Sequence, residues 1–254
     1  MRFLHASAQY VGARRSQEDS FGFSGADDQA FLAHAGFLAV LCDGMGGMEH
    51  GGEASRNAVA AFLKAYQAKK PEEPIPAALQ RSVRETNAEV VELARKLGAA
   101  EGIGTTLVAA VLHKSFLYYI SVGDSGLFHF SRGTLRLINH PHVFGRFLDQ
   151  AVARGVITEQ AAQDHPERDA LTSFIGAEPL EEIDASPDPI RLSSGDTILL
   201  ASDGLFNTLS FMEIRKVMEG DPRQWPDLLI ARTRDKENEF QDNVTVVTLS
   251  LLSQ

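Results

Sequence analysis

The sequence predicts an α+β fold in which antiparallel sheets are kept apart from their helices, and three observations carry that expectation. Short apolar β-rich runs gather in two regions, two long amphipathic helices stand together among them, and the links between neighbouring runs are too short to hold crossover helices. A βαβ array needs strict alternation of strand and helix, which this order lacks. The length, 254 residues, allows one large domain or two small ones. No linker divides the chain, so one domain over 1–254 with a layered, single compact core is expected.

Each element follows from local pattern. A strand is expected at 20–24 and another at 37–41, the latter from the run Phe37-Leu-Ala-Val-Leu-Cys42. A helix follows over 53–68, with Ala54, Ala58, Ala61, Phe62 and Ala65 on one face. A second helix covers 76–97, where Leu79, Val83, Val90, Ala94 and Leu97 recur at helical spacing. The polar, proline-bearing segment 69–74 between them makes the pair a helical hairpin. Strands are expected at 105–112, 116–122, 127–130 and 135–138. His113-Lys114 joins the first two and Ser131-Arg132-Gly133 the last two as tight antiparallel turns. A helical zone at 143–163 leads into an irregular stretch to 189. The chain closes with a strand at 197–201, helices at 211–219 and 225–236, and a strand at 244–251.

Composition narrows the function. The net charge is −10, from 34 acidic against 24 basic residues, the wrong sign for a protein that grips nucleic acid. One cysteine, Cys42, permits neither an intrachain disulfide nor a thiolate zinc cluster. No secretory signal and no apolar run near the ~20 residues of a membrane span is present, so a soluble, cytoplasmic protein is expected.

The position of the acids is the informative feature. Asp43, Asp124 and Asp203 each follow an apolar run, Asp242 precedes one, and Glu18-Asp19 precede the strand at 20–24. Aspartate is common where strands end, so any one of them reads as turn chemistry. An acid at every rim is another matter, because carboxylates gathered at one end of a core repel one another unless positive charge lies between them. Oxygen donors without cysteine or paired-histidine motifs favour hard cations, Mg²⁺ or Mn²⁺.

Other readings of the motifs fail on single residues. A GxGxxG nucleotide loop after the strand at 37–41 has Glu49 where its last glycine belongs. A cysteine phosphatase built on Cys42 needs an arginine six places on, where Met48 stands. The eight histidines show no zinc spacing, and His140 and His142 read as loop residues.

The strings RRSQEDS, LCDGMGGMEHGGEAS, IGTTLVAAV, SVGDSG, LASDGL and DNVTV occur in this order with suitable spacing. Together they resemble the metal-dependent protein phosphatase family (PPM, type 2C class) in its compact bacterial form, over nearly the whole chain. The resemblance implies a four-layer α-β-β-α sandwich of two antiparallel sheets flanked by helix pairs. It implies a serine/threonine phosphoprotein phosphatase that uses water activated between two Mn²⁺ or Mg²⁺ ions. Carried over position by position, Asp43 bridges both cations and Gly44 offers a carbonyl to one. Asp203 and Asp242 complete the first site, Glu18 and Asp19 serve the second, and Asp124 with Asp203 holds a weaker third cation. Arg14, with Arg15 next to it, matches the arginine that holds phosphate, so Arg14, Asp43 and Asp203 are the expected catalytic residues. Gly44, Gly46 and Gly47 let the backbone turn beside the metal.

The same resemblance implies a monomer that acts on phosphorylated proteins and opposes a bacterial-type Ser/Thr kinase, with the segment 143–184 as a flap that shapes substrate choice. The chain departs from the family at three places. Met45 replaces a histidine assigned in many eukaryotic members to leaving-group protonation, Gly126 replaces an arginine, and Asn139-His140-Pro-His142 replaces Asp-His-Ser. A catalytically inactive binding module is the competing class, and loss of a metal acid would mark it. None is lost.

Overall fold

A computed structural model describes residues 3–25, 28–45, 50–98, 103–186 and 188–252. Gly46, Gly47, Met48 and Glu49 therefore lie outside the described residues. The elements run β1 (Phe3–Tyr10), β2 (Asp19–Phe23), α1 (Gln29–Ala35), β3 (Phe37–Met45), α2 (Gly51–Gln67), α3 (Ile75–Lys96), β4 (Gly104–Thr105), β5 (Leu107–His113), β6 (Phe116–Val122), β7 (Gly126–Ser131) and β8 (Thr134–Leu137). They continue α4 (Gly145–Ala153), α5 (Glu159–Gln163), β9 (Asp184–Ala185), β10 (Ile190–Arg191), β11 (Thr197–Ala201), α6 (Asp203–Phe206), α7 (Phe211–Val217), α8 (Trp225–Arg234) and β12 (Val244–Leu251).

Two sheets result, every described strand pair antiparallel. One has the order β1-β12-β11-β7-β8; the other runs β10-β6-β5-β3-β2, with β4 on β3 and β9 on β6. The period of two along each central strand divides its side chains between two interiors. On β3, Leu38, Val40 and Cys42 face α2 and α3, whereas Phe37, Ala39 and Leu41 face the opposite sheet. On β11, Ile198 and Leu200 point between the sheets while Leu199 and Ala201 meet Leu205, Ile214, Trp225 and Leu229 from α6, α7 and α8. The expected layers α-β-β-α are therefore present. The single compact core expected from chain length is not: three apolar interiors fill the three interfaces between four layers. Strands buried on both faces read as continuous apolar runs, which is why 37–42 and 197–201 were legible. Each large side chain buried in this way contributes roughly 1.5–3 kcal/mol.

Three details bear on function. The three residues between β6 and β7 cross from one sheet to the other, with Gly123 at φ 95°, a left-handed conformation that glycine takes without strain. The strand expected at 105–112 is broken at Thr106, whose N–H donates to the Asp43 carbonyl at 2.8 Å. The helical zone at 143–163 divides into α4 and α5 around Gly155, which has φ 72°. Cys42 is fully buried and burial pushes its thiol pKa up, which disfavours the thiolate that a nucleophile needs. Among the described residues, no helix is long and apolar enough to cross a membrane.

Candidate metal centre

The antiparallel order brings the C-terminal ends of β1, β3, β6 and β11 to the same edge of the sandwich as the N-terminal ends of β2 and β12. Every rim acid belongs to one of those ends. Asp19 opens β2 directly across from Asp43 near the end of β3. Asp203 opens α6 just after β11, Asp242 stands two residues before β12, and Asp124 occupies the crossing between β6 and β7. A cavity of about 980 Å³ is lined by Arg14, Arg15, Glu18, Asp43, Gly44, Met45, Thr106, Leu171, Asp124, Asp203, Asp242 and Asn243, among others. Seven of the eight site residues read from the sequence thus share one cavity. Asp19 does not line it but sits behind, 3% exposed.

The hydrogen bonds show what each acid leans on. Asp19 Oδ2 accepts from the Ser202 hydroxyl at 2.8 Å and the Thr245 hydroxyl at 2.7 Å. Asp203 Oδ2 accepts from Asn207 Nδ2 one helical turn on, at 3.0 Å. Asp242 Oδ1 accepts from the Asn243 N–H at 2.8 Å, and its Oδ2 accepts from Arg14 Nη2 at 2.7 Å. The Glu18 N–H donates to Asn243 Oδ1 at 2.7 Å, while Asn243 Nδ2 donates to the carbonyls of Val11 and Ser16. Asn243 thereby fastens the arginine-bearing loop to β12. Thr106 Oγ1 accepts the Asp43 N–H at 3.0 Å. The roles of Thr106, Ser202, Asn207, Asn243 and Thr245 were not read from the sequence. Four of them, all but Asn207, lie inside quoted strings, but those strings were read for their acids and glycines, and a neutral hydrogen-bonding residue leaves no compositional mark.

The electrostatics are strained in one direction. Burial, then repulsion from Asp19, Asp203, Asp124 and Asp242, lifts the Asp43 carboxyl well above the ordinary carboxylate range. Burial pushes Asp19 up to about 6, against the hydrogen bonds from Thr245 and Ser202. Burial and then the charge of Asp203 push Asp124 up to about 7. Asp203 rises through burial and then repulsion by Asp242. Four acids moved the same way mark a site that favours added positive charge.

The fit to divalent cations rests on this chemistry. Among the described residues, no three His, Cys, Asp or Glu side chains already stand close enough to hold an ion as they are. Asp242, Asp203 and Asp19 are paired instead with Arg14, with Asn207, and with Ser202 and Thr245 respectively. The donor set is nonetheless all oxygen, which suits a hard cation. Asp19 Oδ1 is buried without a hydrogen-bond partner, an orphan acceptor at the sheet edge that faces Asp43. The backbone is tight as well: a Cβ on Gly44 would lie 2.1 Å from the Gly51 carbonyl oxygen and 2.7 Å from that of Glu18. At Gly126, where the family carries arginine, the Phe128 ring occupies the space, 2.5 Å from a built Cβ.

The flap region is stitched to this edge. Val143 bridges Leu171, and Thr105 exchanges N–H···O bonds of 2.9 and 2.8 Å with Ile175. Leu171 reaches the cavity wall.

Comparison with known proteins gives the family. The chain matches the family described as Protein phosphatase 2C over residues 13–228. It is 30% identical over 238 residues to the serine/threonine phosphatase stp of Listeria welshimeri, covering 92% of this chain and 90% of the relative. Its fold superposes on the S. agalactiae serine/threonine phosphatase with a TM-score of 0.83 and 26% identity, over 98% of this chain and 100% of the other. The catalytic domain of the serine threonine protein phosphatase PstP, solved in complex with 2 manganese ions, superposes with a TM-score of 0.77 and 26% identity over 99% of both chains. The chain therefore belongs to the protein phosphatase 2C family and is a protein phosphatase.

Proposed function

We propose that the chain hydrolyses phosphoserine and phosphothreonine on proteins as a monomeric, cytoplasmic catalytic domain spanning 1–254, opposing a bacterial-type Ser/Thr kinase. The observation that carries this reading is the convergence of Glu18, Asp43, Asp124, Asp203 and Asp242 with Arg14 around one cavity. Asp43, the Gly44 carbonyl, Asp203 and Asp242 are assigned to one Mn²⁺ or Mg²⁺, Asp43 with Glu18 and Asp19 to a second, and Asp124 with Asp203 to a weaker third. When bound, such a pair supplies an acidified water and neutralises charge on the phosphoryl group.

The chain's own residues do the rest. Asp43 and Asp203, held at the ends of buried strands, fix the direction from which the water meets phosphorus. Arg14 is 60% exposed and its partner Asp242 41%, so their ion pair is weakly held and the guanidinium is free to turn onto phosphate oxygens. Met45 at the cavity wall carries no proton to give, so the leaving oxygen takes its proton from water or from the substrate itself. The segment 143–184, with Leu171 at the wall, screens the peptide that surrounds the phosphorylated residue.

The direct test is hydrolysis of a phosphothreonine peptide with Mn²⁺ and again with excess chelator. Turnover that chelator abolishes and Mn²⁺ restores is expected; full turnover in chelator rules the reading out, and none under either condition favours the inactive binding module. A second expected result separates binding from chemistry. Arg14→Ala should raise KM about tenfold or more while kcat falls by a smaller factor. If Arg15→Ala alone gives that pattern, the phosphate contact belongs to the neighbouring guanidinium on the same wall.

A further inference from the structure

The crossing that carries Asp124 is gripped from both sides by buried polar side chains to which the reading above gives no task. His142, 2% exposed, accepts the Gly123 N–H on Nδ1 at 3.0 Å, and its own N–H donates to the Gly123 carbonyl at 2.9 Å. The His142 carbonyl in turn accepts from the Thr172 N–H at 2.9 Å, which ties the same residue to the flap. On the other side Asn139, 4% exposed, donates from Nδ2 to the Ser125 carbonyl at 2.9 Å and to the Ser121 hydroxyl at 3.2 Å. Its Oδ1 accepts from the Leu127 N–H at 2.7 Å.

The grip extends to the opposite carboxylate. Thr106 Oγ1 accepts the Asp43 N–H and also shares a hydrogen bond of 2.7 Å with Ser125 Oγ. Asp124 is therefore flanked by Gly123, pinned to His142, and by Ser125, pinned to Asn139 and Thr106. A loop that must bridge two sheets in three residues has little else to define it. An aspartate on such a loop would otherwise sample many positions, at a cost in affinity for anything it binds.

We infer that His142 is a positioning residue: by pinning the Gly123 amide it holds Asp124 at a fixed place between Asp203 and the flap, and so sets the affinity of the cation assigned to Asp124. The inference rests on the assignment of Asp124 given under the proposed function. Accepting an N–H on Nδ1 requires the neutral ring with its proton on Nε2, and burial lowers the His142 pKa in keeping with that form. Partners behind a ligand commonly change metal affinity by about 10–100-fold when removed.

The test compares wild type, His142→Leu and His142→Asn. The asparagine Oδ1 hangs on Cγ as the histidine Nδ1 does, so it restores the acceptor without the ring. Mn²⁺ binding is read by calorimetry and electron paramagnetic resonance, and amide hydrogen exchange is read over 123–125. His142→Leu should weaken the weak class of Mn²⁺ binding by about tenfold, leave the tight class within about twofold, and speed exchange at 123–125. His142→Asn should recover both readouts. A leucine variant with wild-type weak binding overturns the inference alone. Equal loss of both classes with a lowered Tm that asparagine does not rescue also overturns it, because His142 would then serve only folding. Absence of any weak class in wild type overturns the assignment of Asp124, and this inference with it.

Discussion

Asp203→Asn is expected to reduce phosphothreonine-peptide turnover by about three orders of magnitude, ~4 kcal/mol of transition-state stabilisation. The substitution keeps the size of the side chain and can still accept the hydrogen bond from Asn207, so the loss reports charge rather than shape. Its effect on stability should run the other way. Asp203 is among the charges that repel Asp43, Asp19 and Asp124. Removing it relieves repulsion that Arg14 offsets only in part in chelator, so Tm in chelator should equal or exceed that of wild type. In Mn²⁺ the order should reverse, since wild type gains more from the cation. Thermal melts with and without Mn²⁺, beside the turnover assay, check both halves. Retention of more than a tenth of wild-type turnover would remove Asp203 from the proposed catalytic set.

Gly44→Ala should be among the most damaging small substitutions. The added carbon meets the carbonyl oxygen of Gly51 at 2.1 Å and its carbon at 2.4 Å, with the Glu18 carbonyl at 2.7 Å. All three are backbone atoms, so no rotamer change relieves the clash, and α2 must move away from the end of β3. A cost of about 3 kcal/mol, or a fall in Tm of roughly 6–12 °C, is expected, with Mn²⁺ dependence shifted to higher concentration. Gly25→Ala is the control, because nothing lies within 4 Å of its built Cβ. A Gly44→Ala protein with wild-type Tm and Mn²⁺ response would mean that the β3 end has more room than these distances allow.

Much of this was legible because burial on both faces writes itself plainly. The runs at 37–42, 197–201 and 244–251 lie wholly inside; the last two strands were found with their bounds, and the strand expected at 37–41 starts as read but runs on to Met45. β1 was missed because Phe3–Tyr10 is an edge strand with a burial pattern that shows no clean alternation. α1, seven residues long, is too short for a helical period to declare itself. The assignment of strands to sheets was also beyond pattern: the same kind of short link makes a hairpin at 114–115 and a change of sheet at 123–125. The charged half of the site was readable from acids at strand ends. The neutral half, Thr106, Asn139, His142, Ser202 and Asn243, was not, since its importance lies in which backbone groups it reaches.

The pairing of β1 with β12 has a consequence for the order in which the chain folds. Phe3 lies opposite Leu251, and Arg14 meets Asp242 across 228 positions. During folding the first strand therefore waits for a partner distant in sequence, and Arg14 and Asp242 cannot face each other until β12 has been placed. The charge balance at the cavity wall thus hangs on a contact of high sequence separation, which a folding chain makes late.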